Sequence, residues 1–259
     1  MSILLGQGLE GKLVIVTGAA SGIGFQTALM LDKVGAVVAA LDVNEKGLQE
    51  LSNEMQNTEH EYIKQDLSNV NELGKMTTSL SDSKGELWGL IHPAAYLKRQ
   101  NNKDVTEEDW NAQIDVNLKG TFFLARECGD LMAKQGKGGR LILFTSGAWL
   151  MGSSFGATPM GADVYTASKG GVVSVVRSFA KTYGKHHILV NAIAPGQVNT
   201  PMQHEGLEAG MAEELAKSSP LGRISEPEEI ASVAVFLASS HASFINNSVI
   251  NVSGGILAY

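Results

Sequence analysis

Thr17-Gly18-Ala19-Ala20-Ser21-Gly22-Ile23-Gly24 is the stretch on which the fold turns. It follows Lys12–Thr17 (KLVIVT), a short apolar run that reads as a strand buried on both faces, and it opens the amphipathic run Gly22–Val34. The chain must pass sharply from strand to helix here. Gly18 permits the turn, Gly22 leaves the backbone open to a close ligand, and Gly24 lets the helix lie against the sheet. N–H groups at the helix start then face outward, with the positive end of the helix dipole behind them. That arrangement suits a pyrophosphate. The competing explanation is a Gly-rich turn with a purely structural duty.

The pattern repeats outward from this turn. Ala36–Asp42, Glu61–Gln65, Leu87–His92, Arg140–Ser146, Ile188–Ala194 and Ser248–Val252 read as further strands. Gly22–Val34 (with Ile23, Leu29 and Met30 inward), Asn44–Met55, Thr106–Asn117, Val164–Tyr183 and Pro227–Ala238 read as helices. Thr106 is followed by three acidic residues and Pro227 by two, both favourable at a helix N-terminus. Near-continuous apolar strands alternating with helices predict an α/β fold, a doubly wound parallel sheet of about seven strands in three layers. Residues 1–259 are expected to form a single domain, with segments 147–164 and 201–219 as loops on the substrate side.

Composition narrows the classes. The chain has 259 residues, 44% of them hydrophobic and 18% charged, so it can fill one large core. Its formal charge of −7 gives no general attraction to nucleic acid or to an anionic membrane. Apolar runs are strand-sized, and Met1–Glu10 has neither the basic nor the apolar part of a secretion signal. The lone Cys128 forms no internal disulfide and reads as a small buried helical residue. The expectation is a cytoplasmic protein. The six histidines show no metal-ligand spacing, so no metal is expected.

Asp42 ends the second strand, 18 residues after Gly24. A carboxylate there accepts hydrogen bonds from the ribose hydroxyls of an adenosine and repels a 2′-phosphate, and neither Ser21 nor Val43 is basic. This points to NAD rather than NADP. Tyr165 and Lys169 stand at i and i+4, on one face of a helix. A neighbouring ammonium is expected to lower the phenol from its ordinary pKa of about 10, fitting the pair for general acid/base work on a hydroxyl or carbonyl. Ser146, at the end of the fifth strand, lies on the active edge of such a sheet, where its hydroxyl can donate to a substrate oxygen.

Thr17–Gly24 resembles the TGxxxGIG signature of the short-chain dehydrogenase/reductase family, in its short single-domain form, and the resemblance runs from about Gly11 to Gly255. It implies a tetrad of Asn117, Ser146, Tyr165 and Lys169. Asn117, in Asp115–Gly120, would help hold a water that relays protons to Lys169, and Tyr165 and Lys169 would also contact the cofactor, Lys169 at the nicotinamide ribose. Without the resemblance, Asn117 reads as a structural polar residue inside a helix. The resemblance also implies cofactor contacts at Gly18, Ser21, Gly22, Ile23 and Gly24 in the turn, and at Asp66 and Leu67 after the third strand. Ala94 follows the fourth strand, and Pro195, Gly196, Val198 and Thr200 would lie beside the nicotinamide. Relatives are commonly tetramers, so a homotetramer is expected; the tail Ile256–Tyr259 would be buried at such an interface or fold onto its own subunit.

Two departures stand out. His92-Pro93-Ala94-Ala95 replaces the usual Asn-Asn-Ala-Gly. Pro93 has no N–H, Ala95 resists positive φ, and His92 is either a strand-end histidine satisfied by neighbours or a functional novelty. Ser146 and Tyr165 are 19 residues apart, so Trp149–Gly161 reads as an enlarged loop that lines the pocket or packs on itself. A third segment, Gln203–Ser219, reads as helical and Met-bearing, and the resemblance implies that it closes over substrate.

Together these readings predict an NAD-dependent oxidoreductase that interconverts a small-molecule secondary alcohol and its ketone. Sugars, cyclic diols, hydroxysteroids and aryl carbinols are the candidate substrates. A 3-oxoacyl carrier-protein reductase and a non-catalytic NAD-binding regulator are the alternatives.

Overall fold

A computed structural model describes residues 5–152, 161–204 and 211–257 of the protein. Strand β1 (Leu13–Thr17) leads through the glycine turn into α1 (Gly22–Lys33), and β2 (Val37–Asp42), α2 (Glu45–Glu54) and β3 (Glu61–Lys64) follow. Next come α3 (Leu73–Lys84), β4 (Leu87–His92), α4 (Glu107–Ile114) and α5 (Thr121–Gln135). The second half holds β5 (Gly139–Phe144), a short α6 (Ala148–Met151), the long α7 (Asp163–Tyr183) and β6 (Ile188–Pro195). Then α8 (Pro201–His204), α9 (Met211–Ser218), α10 (Pro227–Ala238) and β7 (Val249–Val252) complete the described chain.

The strands form one seven-stranded sheet in the order β3-β2-β1-β4-β5-β6-β7, every neighbouring pair parallel. Alternate residues of β1 feed opposite faces. Leu13 and Ile15 pack with α3, α5 and α7, while Val14 and Val16 pack with α1, α2 and α10. Burial on both faces explains why these strands are apolar without alternation. The chain winds outward from β1 in one direction and from β4 in the other, so a crevice opens between them at the C-terminal strand ends.

The strand assignments agree with the sequence reading to within a residue or two; the helices need correction. Ala28 and Leu31 are the buried apolar residues of α1, with Ile23, Leu29 and Met30 packed at the margin. Helices α3 and α5 are additional to those read from the sequence. The helix expected over Thr106–Asn117 starts as expected, with a capping box between Thr106 and Asp109, but its α-helical part ends at Ile114. Asp115–Gly120 then forms a π-helical turn that leads directly into α5. Of Gln203–Ser219, the described residues are helical in α8, to His204, and in α9, from Met211 to Ser218, while 205–210 lie outside the described residues. Most of the enlarged loop, residues 153–160, lies outside the described residues, as do 205–210, Ala258 and Tyr259. Cys128 is buried on α5, and burial raises its thiol pKa well above the ordinary value. Among the described residues, no helix is long and apolar enough to cross a membrane, and no three His, Cys, Asp or Glu side chains are grouped to hold a metal.

Candidate active site

The crevice has two connecting parts that share Ile23, Pro93, Ala95, Thr200 and Met202 in their walls. The first lies against the glycine turn. Gly18 and Gly22 take positive φ, +61° and +52°, which side-chain-bearing residues rarely adopt. A Cβ on Gly24 would sit 2.1 Å from the Gly18 carbonyl oxygen, so the third glycine is fixed by helix–strand packing. Ser21 stands at the N-cap of α1 but makes no side-chain capping bond, leaving first-turn N–H groups directed toward the crevice. An uncapped helix start beside backbone stripped of side chains fits the phosphates of a dinucleotide.

Asp42 closes this part. Its Oδ2 accepts from Ala20 N at 3.1 Å and its Oδ1 from Asn44 N at 2.9 Å, so the carboxylate also holds the turn it faces. Each oxygen retains a lone pair for a ribose hydroxyl. Asp66, Leu67, Ala94 and Val116 line the same part; Val116 is an addition that no local motif singled out. No basic side chain borders it among the described residues.

The second part gathers Ser146, Tyr165 and Lys169 with Pro195, Gly196, Val198 and Thr200. Ser146 follows β5, and its hydroxyl hydrogen-bonds the Tyr165 phenol. Lys169 is 2% exposed, and its Nζ donates to the Phe144 carbonyl at 2.9 Å and lies 5.5 Å from the Tyr165 ring centre. The expected lowering of the phenol does not occur in the protein alone. Burial pushes Tyr165 up to about 12, against smaller downward pulls from Ser146 and the Arg99 charge. Burial also pushes Lys169 down to about 7, so dehydration dominates both groups.

Asn117 is brought near these three but not into their cavity. It is fully buried in the π-helical turn. Its Oδ1 accepts from Tyr96 N at 2.7 Å, and its Nδ2 donates to Tyr96 O at 2.8 Å and to Ser168 Oγ at 3.2 Å. Ser168 in turn donates to the Tyr165 carbonyl at 2.6 Å. The asparagine side chain thus ties the segment after β4 to the helix that carries Tyr165 and Lys169.

His92 is the satisfied strand-end residue of the two alternatives. It is 1% exposed and bridges Thr17 Oγ1 at its Nδ1 and Thr121 Oγ1 at its Nε2, both at 2.9 Å. Thr121 donates its own proton to the Asn117 carbonyl at 2.7 Å. That assigns the imidazole proton to Nε2 and makes Thr17 the donor to Nδ1. A buried chain of hydrogen bonds therefore links the end of β1 to the π-helical turn. The Ala94 N–H uses Thr17 Oγ1 at 3.3 Å, and Ala95 is not among the positive-φ residues, so the local departure is absorbed without strain.

Sequence reasoning missed Arg99 and Gln197, which also line the second part. Arg99 sits seven residues past β4, and its only local signal was a position downstream of a strand's C-terminal end. Leu257 is buried against its own subunit and lines this part too, so the tail folds inward at least to that residue.

Residues 18–257 match the family model described as enoyl-(acyl carrier protein) reductase. The chain is 33% identical over 252 residues to a 3-oxoacyl-[acyl-carrier-protein] reductase of Thermotoga maritima, covering 96% of this chain and 99% of that protein. It is 37% identical over 258 residues to a short-chain dehydrogenase/reductase of Armillaria gallica, covering 96% and 97%. A solved short-chain type dehydrogenase/reductase from Mycobacterium marinum superposes with a TM-score of 0.89 at 27% identity, covering 98% of both chains.

Proposed function

The chain belongs to the short-chain dehydrogenase/reductase family, and from that premise we propose that it is an NAD-dependent dehydrogenase of a small secondary alcohol. The coarser part is secure: it is an oxidoreductase of the alcohol/ketone type that uses a nicotinamide cofactor. The observation that carries the finer reading is the pairing of the two crevice parts. A carboxylate without a basic partner closes the glycine turn, and Ser146, Tyr165 and Lys169 meet at the other end.

A nicotinamide cofactor in this crevice would supply the two-electron acceptor for hydride from the carbinol carbon. The protein's own groups do the rest. The turn between Gly18 and Gly24 binds the phosphates, and Asp42 holds the adenosine ribose. Tyr165, once deprotonated, takes the proton of the substrate hydroxyl, and Ser146 donates a hydrogen bond to the same oxygen as it becomes a carbonyl. Lys169, 5.5 Å from the Tyr165 ring centre, would favour the phenolate by its charge and pass the proton on toward solvent. Asn117 acts by positioning, holding α7 through Ser168. We place the enzyme in the cytoplasm as a homotetramer, as its relatives commonly are.

A second reading has support from the Thermotoga maritima relative: a carrier-protein reductase. Such reductases usually take NADPH, which Asp42 opposes. The deciding experiment follows absorbance of the reduced cofactor with NAD⁺ and NADP⁺ against sugars, cyclic diols, hydroxysteroids and aryl carbinols. A 3-oxoacyl thioester with NADH or NADPH is run beside them. Turnover of a carbinol with NAD⁺ is expected; thioester reduction confined to NADPH would overturn the proposal.

A further inference from the structure

Residues 200–203 lie across the junction of the two crevice parts. Thr200, Pro201 and Met202 line the part beside the glycine turn, and Thr200, Met202 and Gln203 line the part with Ser146 and Tyr165. The strip also reaches the turn itself, since a Cβ on Gly22 would come within 2.9 Å of Thr200 Cγ2. Its regular structure is α8, where Gln203 N and His204 N both donate to Thr200 O, at 3.0 and 3.2 Å. A helix of four residues is too short to persist on its own propensity.

Much of what holds the strip lies outside the crevice. Asn199 N donates to Ser225 O at 2.8 Å, and Ser225 N donates to Gln197 O at 2.9 Å. Asn199 Nδ2 donates to Glu226 Oε2 at 3.0 Å, and Asn199 Oδ1 faces His204 Nε2 at 2.7 Å. An ionised carboxylate only accepts, so Glu226 fixes which way the amide points. Oδ1 then receives the Nε2 proton of His204, the last residue of α8. Glu226 is anchored in turn. It is the N-cap of α10, its N–H donates to Glu229 Oε2 at 2.9 Å, and Arg223 grips Glu229 through two bonds of 2.7 Å. Helix α10 itself is rooted in the core by Ile230, Ala234 and Val235. From the crevice side, Arg99 donates to the Met202 and Gln203 carbonyls at 3.4 Å each, and bonds of that length hold less firmly.

We propose that Asn199 is a positioning residue: clasped by Glu226 and closed on His204, it sets where residues 200–203 stand and so how the nicotinamide end of the cofactor is received. The proposal rests on the nicotinamide-cofactor reading given above. Asn199, His204 and Glu226 line neither part of the crevice, so the clasp acts through the strip and not by touching a ligand.

The test reverses the polarity of the clasp. Asn199→Asp sets a carboxylate against Glu226 while leaving an acceptor for His204. Adding Glu226→Gln returns an amide donor to the pair, with the roles exchanged. Binding of NADH, with NADPH in parallel, is followed by fluorescence titration, binding of 5′-AMP by calorimetry, and backbone amide exchange by mass spectrometry. AMP probes the adenosine end, away from the nicotinamide. Exposed hydrogen bonds are individually modest, so Asn199→Asp is expected to weaken NADH binding by about 3- to 10-fold and to speed exchange over residues 199–204 by about 10-fold. AMP affinity and exchange over α10 should stay within about twofold. Asn199→Asp combined with Glu226→Gln should return NADH affinity and protection to within about twofold of wild type, a coupling that general damage to the fold does not produce. His204→Ala should weaken NADH by a smaller factor, because the Glu226 arm remains. Unchanged NADH affinity in Asn199→Asp, equal weakening of NADH and AMP, or no recovery in the double variant would overturn the proposal. A wild type that binds neither NADH nor NADPH, with exchange over 199–204 still opening in Asn199→Asp and closing in the double variant, would sink the cofactor reading and keep the clasp.

Discussion

The two ends of the crevice are built by opposite rules. The cofactor end is built around the backbone of one short stretch, Gly18–Gly24, with acidic side chains in its wall and no basic one among the described residues. The substrate end is made of side chains from segments far apart in sequence, Leu97–Arg99, Ser146–Ala148, Tyr165–Lys169 and Gln197–Gln203, with cations and no carboxylate among its described lining. A ligand bound by main-chain N–H groups needs glycine at fixed places, whatever surrounds it. A ligand bound by side chains needs only that the fold bring them together. The first requirement can hardly vary, and the second can be met by many sequences.

The largest expected effects separate the two ends. Tyr165→Phe removes the proton acceptor but no cofactor contact at the turn. Turnover should fall by at least about 10³-fold, while NADH affinity, read by fluorescence titration, stays within a few-fold. Residual turnover near the wild-type rate would refute the acid/base assignment. Gly24→Ala should do the reverse. Its methyl would meet the Gly18 carbonyl oxygen at 2.1 Å, with backbone on both sides and no flexible neighbour to yield. NADH affinity should drop by about 10²-fold or more, with a loss of stability of about 1–3 kcal/mol from overpacking. Tight NADH binding by this variant would show that the turn is not the phosphate site.

That contrast explains what could be read beforehand. The central strands were legible because both their faces are buried, so a run such as Leu13–Thr17 is apolar throughout, while the half-buried β3 (EYIK) carries a weaker signal. Tyr165 and Lys169 were legible because four residues on a helix is one turn. The net direction of the Tyr165 shift was not, because it depends on how deeply the fold dehydrates the pair, and burial prevails. The interrupted helix at Asp115–Gly120 was hidden for a similar reason. Asn117 is drawn inward by Tyr96 and Ser168, 21 and 51 residues away, and no local propensity encodes such partners. Arg99 carries no local pattern; its meaning comes from Met202 and Gln203, more than a hundred residues along the chain.

A smaller effect tests the charge at the cofactor end. Asp42→Ala should raise KM for NAD⁺ by about 10- to 100-fold, from lost ribose bonds to a charged acceptor. KM for NADP⁺ should stay level or fall, because a repulsion is removed. The ratio of the two decides the matter. A parallel rise for both cofactors would mean that Asp42 matters only through its bonds to Ala20 and Asn44, and that it does not select between them.

The smallest effect sits between the two ends, in the chain Thr17–His92–Thr121–Asn117. Burial, with a lesser push from the Lys169 charge, lowers His92 from its usual 6.5 to about 3. The folded protein therefore keeps this imidazole neutral while the unfolded chain protonates it below about pH 6.5. Between those values the unfolded state binds more protons, so stability is full above pH 6.5 and declines as the pH falls toward 3. Each pH unit is worth about 1.4 kcal/mol, so the wild type should lose about 2 kcal/mol from this group between pH 6.5 and pH 5. Carboxylates held low in the fold, such as Asp32 and Glu229, titrate below that range and add little to it. His92→Asn gives up both bridging bonds and should be less stable at pH 7.5, yet its chemical-denaturation free energy should change little from pH 6.5 to 5. An acid slope as steep in the variant as in the wild type would show that another group carries it. A flat slope combined with a raised KM for both cofactor and alcohol would identify His92 as the piece that holds the glycine turn and the tetrad helix in register, the one place where the two ends of the crevice depend on the same side chain.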